Sequence, residues 1–170
     1  MLAAINIPKW IEANRHLLKP PVGNKQIYLG NKDFIVMIVG GPNARRDFHI
    51  NATEELFYQI EGGIVIKMIE QDEVKEVHLG AGDMFLLPGG VPHSPRRSAG
   101  SIGLVIEKPR DVEEMDGFRW YCENCGTFLY EAKVRVLDIV SQLPVVINAF
   151  YNDPILSTCN KCSFKNEQPT

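Results

Sequence analysis

The sixteen residues Gly82 to Arg97, GDMFLLPGGVPHSPRR, constrain this chain most. Phe85, Leu86 and Leu87 form a short apolar run of strand type. Pro88-Gly89-Gly90 reverses the chain, because proline fixes φ and glycine accepts positive φ. His93 follows at once, in a stretch where Pro92 and Pro95 leave little backbone freedom. One strand, one tight turn and the start of the next strand therefore aim a single histidine. Taken alone, such a residue is most often a hydrogen-bonded structural histidine. It becomes a metal-ligand candidate when other ligands converge on it.

Residues 45–62 supply them. His49 and Glu55 have the same parity, so strand geometry points both to one face. Glu55 is chosen over Glu54 on that parity and on the six residues that separate it from Gly62. Gly62-Gly63 marks a hairpin turn. Two histidines and one carboxylate from different strands make the facial triad of non-haem Fe(II) oxygenases, which leaves coordination positions open. His16, in an N-terminal helix, and His78, on an exterior strand, read as surface residues.

At 170 residues, one domain or one domain with a small appendage is expected. A net charge of −3 argues against a nucleic-acid footprint. The apolar runs are too short for a membrane span, and no basic-then-apolar leader opens the chain, so a cytoplasmic protein is expected. In that compartment cysteines bind metal more often than they form disulfides.

Asn6 to Lys19 reads as a helix, capped by Asn6, with Pro8 in its first turn and an apolar stripe of Ile7, Trp10, Ile11, Leu17 and Leu18. Pro20-Pro21 ends it. Strands are expected over 26–29, 34–39, 45–50, 55–60, 64–70, 75–79, 83–87 and 103–107, separated by turn compositions such as Gly30-Asn31-Lys32-Asp33 and Gly40-Gly41-Pro42-Asn43. Many short strands at regular spacing indicate an all-β sandwich or barrel such as a jelly roll. The expected division is a jelly-roll domain with its N-terminal helix over 1–115 and a C-terminal extension over 116–170.

That extension holds all four cysteines, as Cys122-Glu-Asn-Cys125 and Cys159-Asn-Lys-Cys162, with 33 residues between the pairs. Each pair can present two thiolates to one metal, and four thiolates indicate zinc or a mononuclear rubredoxin-like iron. Two local redox disulfides are the bland alternative. A full set of four ligands leaves no open position, so the site reads as structural or accessory. Asp138 to Leu143 can form a helical turn within the gap, and Trp120-Tyr121 and Phe128-Tyr130 flank the first pair.

Arg45 and Asp47 share the parity of His49, and Arg97 shares that of His93, so two arginines border the candidate metal cavity. A planar guanidinium suits a carboxylate. Arg46 and Arg96, of opposite parity, read as surface residues. Glu107 closes the apolar run Leu104-Val105-Ile106, either as a strand-end surface residue or as a carboxylate at the barrel mouth, able to pair with Arg97 or take a substrate proton.

Gly82, Pro88, Gly90 and His93 match the second motif of the cupin family, and His49, Glu55 and Gly62 resemble a variant of its first. The usual first motif has a second histidine where this chain has Asn51. More specifically, KPPVGN (19–24), GGPNARRDFH (40–49), EELFYQIEG (54–62), GDMFLLPGGVPHSP (82–95), LVIE (104–107) and DGFRWYCENCG (116–126) resemble the 3-hydroxyanthranilate 3,4-dioxygenases over nearly the full chain. The resemblance implies a cupin jelly roll in which His49, Glu55 and His93 hold catalytic Fe(II). It implies that Arg45 and Arg97 bind the substrate carboxylate, that Glu107 lies beside the hydroxyl and amino groups, and that Asn24 and Asp47 support the site. It further implies a homodimer and a place between tryptophan and NAD or in the degradation of related aromatic acids. Bacterial and some fungal members keep the four-cysteine site. A non-catalytic cupin that binds a small aromatic acid is the rival expectation, and the sequence leaves iron or zinc open at the cysteines.

Overall fold

Alternating apolar residues build two antiparallel sheets that face one another. The computed structural model describes residues 3–19, 23–30, 33–43, 45–136 and 139–169. The elements run α1 (Ile7–Asn14), β1 (Asn24–Gln26), β2 (Ile35–Gly40), β3 (Phe48–Ile50), β4 (Glu55–Glu61), β5 (Ile64–Glu70), β6 (Glu73–Leu79), β7 (Met84–Leu87), β8 (His93–Arg97), β9 (Ile102–Glu107), β10 (Asp116–Tyr121), β11 (Phe128–Val134), α2 (Ile139–Asn152) and α3 (Pro154–Ser157). One sheet has the order β1-β2-β9-β4-β7 and the other β11-β10-β3-β8-β5-β6. The expected jelly roll with an N-terminal helix is present.

Period two explains the core. Ile64, Ile66 and Met68 on β5 face inward, as do Phe57 on β4, Met37 on β2, Val105 on β9 and Leu87 on β7. Ile38 and Ile102 are buried on the opposite side, because α1 lays Ile11 over the outer face of the five-stranded sheet, and Leu18 joins them. β2 is therefore apolar at consecutive positions. Asn6 caps α1 by accepting from the Lys9 N–H at 3.1 Å. The α-helix stops at Asn14 and continues as a 3-10 turn to Leu17, shorter than the expected 6–19. The expected stop at Pro20-Pro21, the centre of the turn at Asn31-Lys32 and Asp138 lie outside the described residues.

Several stretches depart from expectation, among them β1, which covers Asn24–Gln26 where a strand over 26–29 was expected. β3 begins at Phe48, not at Arg45. The residues before it are held by side chains, since the Arg45 N–H donates to Asn43 Oδ1 at 2.9 Å and its guanidinium turns onto Asp47. Residues 116–134 form two strands that the sequence reading did not assign. β10 joins β3 on one side and β11 on the other, so the six-stranded sheet runs on into the cysteine-bearing part of the chain. The signal was present: Phe118 and Trp120 are buried and Arg119 between them is not. α2 runs for 14 residues, although it contains Pro144. Its apolar side, with Leu143, Ile147 and Phe150, packs on β10 and β11, and the Phe150 ring stacks on Trp120 at 4.6 Å. That packing outweighs the loss of one helical hydrogen bond. Among the described residues, no helix is long and apolar enough to cross a membrane.

Ile66→Ala should lower unfolding free energy by about 2 to 5 kcal/mol in urea titrations, because it empties a fully buried site. Val74→Ala, on the exposed face of the adjoining strand, should shift it by about 0.5 kcal/mol or less.

Candidate active site

The β3 and β8 ladder places His49 directly opposite His93, so both rings point to one face. The turn before β8 brings His93 there: Gly90, at φ +76°, donates its N–H to the Asn51 carbonyl at 2.7 Å and ties the turn to the end of β3. Glu55 comes from the other sheet, as the first residue of β4. One ligand atom from each of His49, Glu55 and His93 lies within 4.8 Å of the others, and all three residues are buried. Glu54 is exposed, as the parity argument requires.

The donor chemistry of this cluster fits a cation. His93 Nδ1 lies 3.0 Å from the Val91 carbonyl, so a neutral ring that donates there keeps a lone pair on Nε2. That nitrogen lies 3.1 Å from Glu55 Oε2, a buried oxygen with no hydrogen-bond donor among the described residues. Two acceptors that face one another in a buried site are the arrangement a metal ion satisfies. Burial pushes the His49 pKa down, against the pull of Asp116, which favours the neutral imidazole a metal needs. Burial opposes the charge on Glu55; a proton shared with His93 Nε2 would hold its carboxyl below the usual range, and a cation between the two would do the same.

Behind these ligands stands a group that sequence reasoning did not single out. His49 Nε2 lies 2.6 Å from Asp116 Oδ2, at the start of β10. Phe118, one residue further along the same face, stacks on the His49 ring at 5.1 Å. Arg110 bonds Asp116 at 2.9 and 3.2 Å and Glu107 at 3.0 Å. Glu107 is therefore buried, not a surface residue, and its partner is Arg110, not Arg97. It lies opposite Glu55 across β4 and β9. Burial and the Glu55 charge push its pKa up to about 7, against the pull of Arg110. Asp116 carried a usable signal, since it opens the alternating run of β10. Arg110 sits in irregular chain and carried none.

The two arginines differ. Arg97 is 5% exposed and donates from Nη1 to Gln59 Oε1 at 3.1 Å. No carboxylate lies within ion-pair distance of it among the described residues. Burial draws its pKa down to about 10, with only partial relief from Glu55. Gly103 makes room for it, since a Cβ there would sit 2.6 Å from Arg97 Nη1. Gln59 shares the parity of Glu55 and Phe57, a signal that was available. Arg45, on the rim, is already clamped by both oxygens of buried Asp47. Asn24 sits half-buried on β1 opposite Val39. Asn51, in place of a cupin histidine, is buried and its amide has no partner among the described residues. Arg96 is half-buried, while Arg46 stands 3.9 Å from Glu123 at the surface. His16 and His78 are exposed, as expected.

The cysteines form a second centre. The two pairs fold alike: Cys122 N–H donates to Thr127 O and Gly126 N–H to Cys122 O, while Cys159 N–H donates to Phe164 O and Ser163 N–H to Cys159 O. None of the four is in a disulfide. Cys122 Sγ lies 3.5 Å from Cys162 Sγ, and Cys125 Sγ 3.7 Å from Cys159 Sγ. A tetrahedral ion with metal–sulfur bonds of about 2.3 Å sets its sulfurs about 3.8 Å apart, so the cage has the size for one ion. Hydrogen bonds from Thr127 bring the Cys125 thiol down to about 6, toward the thiolate a metal requires.

The family model for 3-hydroxyanthranilic acid dioxygenase matches residues 1–151. A 3-hydroxyanthranilate 3,4-dioxygenase of Xanthomonas euvesicatoria pv. vesicatoria is 47% identical over 169 residues, 99% of this chain and 95% of that one. One from Neurospora crassa is 46% identical over 158 residues, 93% of this chain and 87% of that one. Among solved structures, a cupin-2 domain protein from Shewanella frigidimarina superposes with a TM-score of 0.51 at 23% identity, covering 62% of this chain and 95% of that one, a likeness of fold.

Metal analysis of anaerobically prepared protein should find two ions per chain. His93→Ala should lose one and keep the other, and Cys159→Ser should do the converse. A single ion that survives both changes would contradict the two-centre arrangement.

Proposed function

Since the chain belongs to the 3-hydroxyanthranilic acid dioxygenase family, we propose that it opens the ring of 3-hydroxyanthranilate with dioxygen, using a ferrous ion held by His49, Glu55 and His93. Ring opening between carbons 3 and 4, with both oxygen atoms retained, gives 2-amino-3-carboxymuconate 6-semialdehyde. The observation that carries the substrate assignment is Arg97: a buried guanidinium whose side-chain acceptor is a neutral amide. A buried charge without a counter-ion is costly, and an incoming carboxylate supplies one.

The chain's own residues divide the work. Arg97, aimed by Gln59 and given space by Gly103, binds the substrate carboxylate. Arg45, held in place by Asp47, borders the same carboxylate from the rim, and Asn24 supports that side. Two fixed points on one ring set its orientation, which is the main means by which such a site lowers the barrier. Glu107, the cross-strand neighbour of Glu55, accepts the proton of the 3-hydroxyl. When bound, a ferrous ion supplies open coordination positions and the redox chemistry that joins ring and dioxygen. The surrounding burial keeps bulk water from the reacting atoms. The four-cysteine cage, with no position left for substrate, holds an iron or zinc ion that fastens the end of β10.

Purified protein should consume one dioxygen per 3-hydroxyanthranilate, with the absorbance of the ring-opened product, and lose both on iron chelation. Tight binding of the acid with no oxygen uptake would instead mark a non-catalytic cupin. Glu107→Gln should cut turnover by about 100-fold or more while binding persists. Gly103→Ala, which displaces the Arg97 guanidinium, should raise KM for 3-hydroxyanthranilate by about tenfold or more and leave 2-aminophenol, which lacks the carboxylate, almost unaffected. Equal effects on both compounds would show that Arg97 does not read the carboxylate.

A further inference from the structure

Arg110 lies three residues beyond Glu107, between β9 and β10, with its side chain 10% exposed. The reaction as described gives it no task, yet its guanidinium is fully engaged. Nη1 meets Glu107 Oε2 at 3.0 Å. Nε lies 3.2 Å from both Asp116 oxygens, and Nη2 lies 2.9 Å from Asp116 Oδ2. The same Oδ2 lies 2.6 Å from His49 Nε2. One planar group thus holds the carboxylate beside the substrate and the carboxylate behind a metal ligand.

We propose that Arg110 is a positioning residue that fixes Glu107 and, through Asp116, the His49 ring in one mutual geometry, so that a single guanidinium governs both metal affinity and proton acceptance. This rests on the reading of His49, Glu55 and His93 as the metal set. The physical reason is the shape of the group. A guanidinium offers one edge to Asp116 and a separate N–H to Glu107 in a rigid plane, and an ammonium offers no such plane. A carboxylate behind a ligating histidine sets ring orientation and ligand basicity, and its loss costs about 10- to 100-fold in metal affinity. Loss of Arg110 releases both carboxylates at once, so its two effects must appear together. A residue that merely packs the segment would produce neither.

The test is a titration of Mn(II), under anaerobic conditions, into protein stripped of its triad metal by a chelator, with the free ion read by electron paramagnetic resonance. Mn(II) prefers carboxylate and imidazole to thiolate, so the cysteine cage contributes little. His49→Ala sets the background: if it binds Mn(II) as well as the parent, the triad reading fails, not the role of Arg110 alone. With parent binding in hand, Arg110→Met is expected to weaken Mn(II) by about 10- to 100-fold, Asp116→Asn by a similar factor, and the double variant no further than the larger single change. In protein reloaded with saturating Fe(II), Arg110→Met should also lower kcat by about tenfold or more, with KM for 3-hydroxyanthranilate nearly unchanged, because Arg97 is untouched. Arg110→Lys keeps the charge, should keep the parent melting temperature, and should recover neither loss in full. Mn(II) affinities of both Arg110 variants within about twofold of the parent, or additive losses with Asp116→Asn, would overturn the proposal.

Discussion

Burying ionised Glu55 costs free energy unless opposite charge or donors meet it, and this chain compounds the cost by setting Glu107 directly across the ladder. Two carboxylates that face one another in a closed space repel. Arg110 offsets Glu107 and, at longer range, part of the Glu55 charge. What remains is a buried oxygen with no donor, against a histidine lone pair. That unmet negative potential is what a bound cation would satisfy. The β4–β9 ladder of one sheet thus holds together like charges that water would separate.

The same logic divides the positive charges. Arg45 is neutralised by Asp47 and stays at the rim, whereas Arg97 is sunk beneath Gly103 with the Gln59 amide oxygen as its side-chain acceptor among the described residues. One arginine is a fixed wall and the other an unmet demand. A substrate that carries a carboxylate at one end and metal-directed hydroxyl and amino groups at the other satisfies Arg97 and the triad together. Relatives named as 3-hydroxyanthranilate 3,4-dioxygenases match this chain over 87% or more of their length.

Much of this was legible before the fold was known, because strand parity is a strong rule. His49, Glu55 and His93 do converge, but Glu55 reaches the cluster from the other sheet, across the barrel, and not from a strand face shared with His49 as parity alone suggested. An antiparallel sandwich or barrel followed from strand spacing, and the cupin resemblance narrowed it to a jelly roll. Parity failed where side chains override the ladder, as at Arg45, which Asn43 and Asp47 hold out of β3. Arg110 was illegible for a different reason: it belongs to no periodic element, and only tertiary closure brings it between Glu107 and Asp116. Segments 116–121 and 128–134 were misjudged because their aromatics were read only as neighbours of the cysteines, when Trp120 and Tyr130 pack against α2 and Tyr121 packs on Phe48 and Phe128.

Anomalous diffraction at the iron edge, from crystals of anaerobically iron-loaded protein, tests the central claim most directly. The account predicts a peak in contact with His49, Glu55 and His93, on the side of the barrel that holds Arg97 and Glu107. No peak there, or an iron whose ligands exclude Glu55, would contradict it.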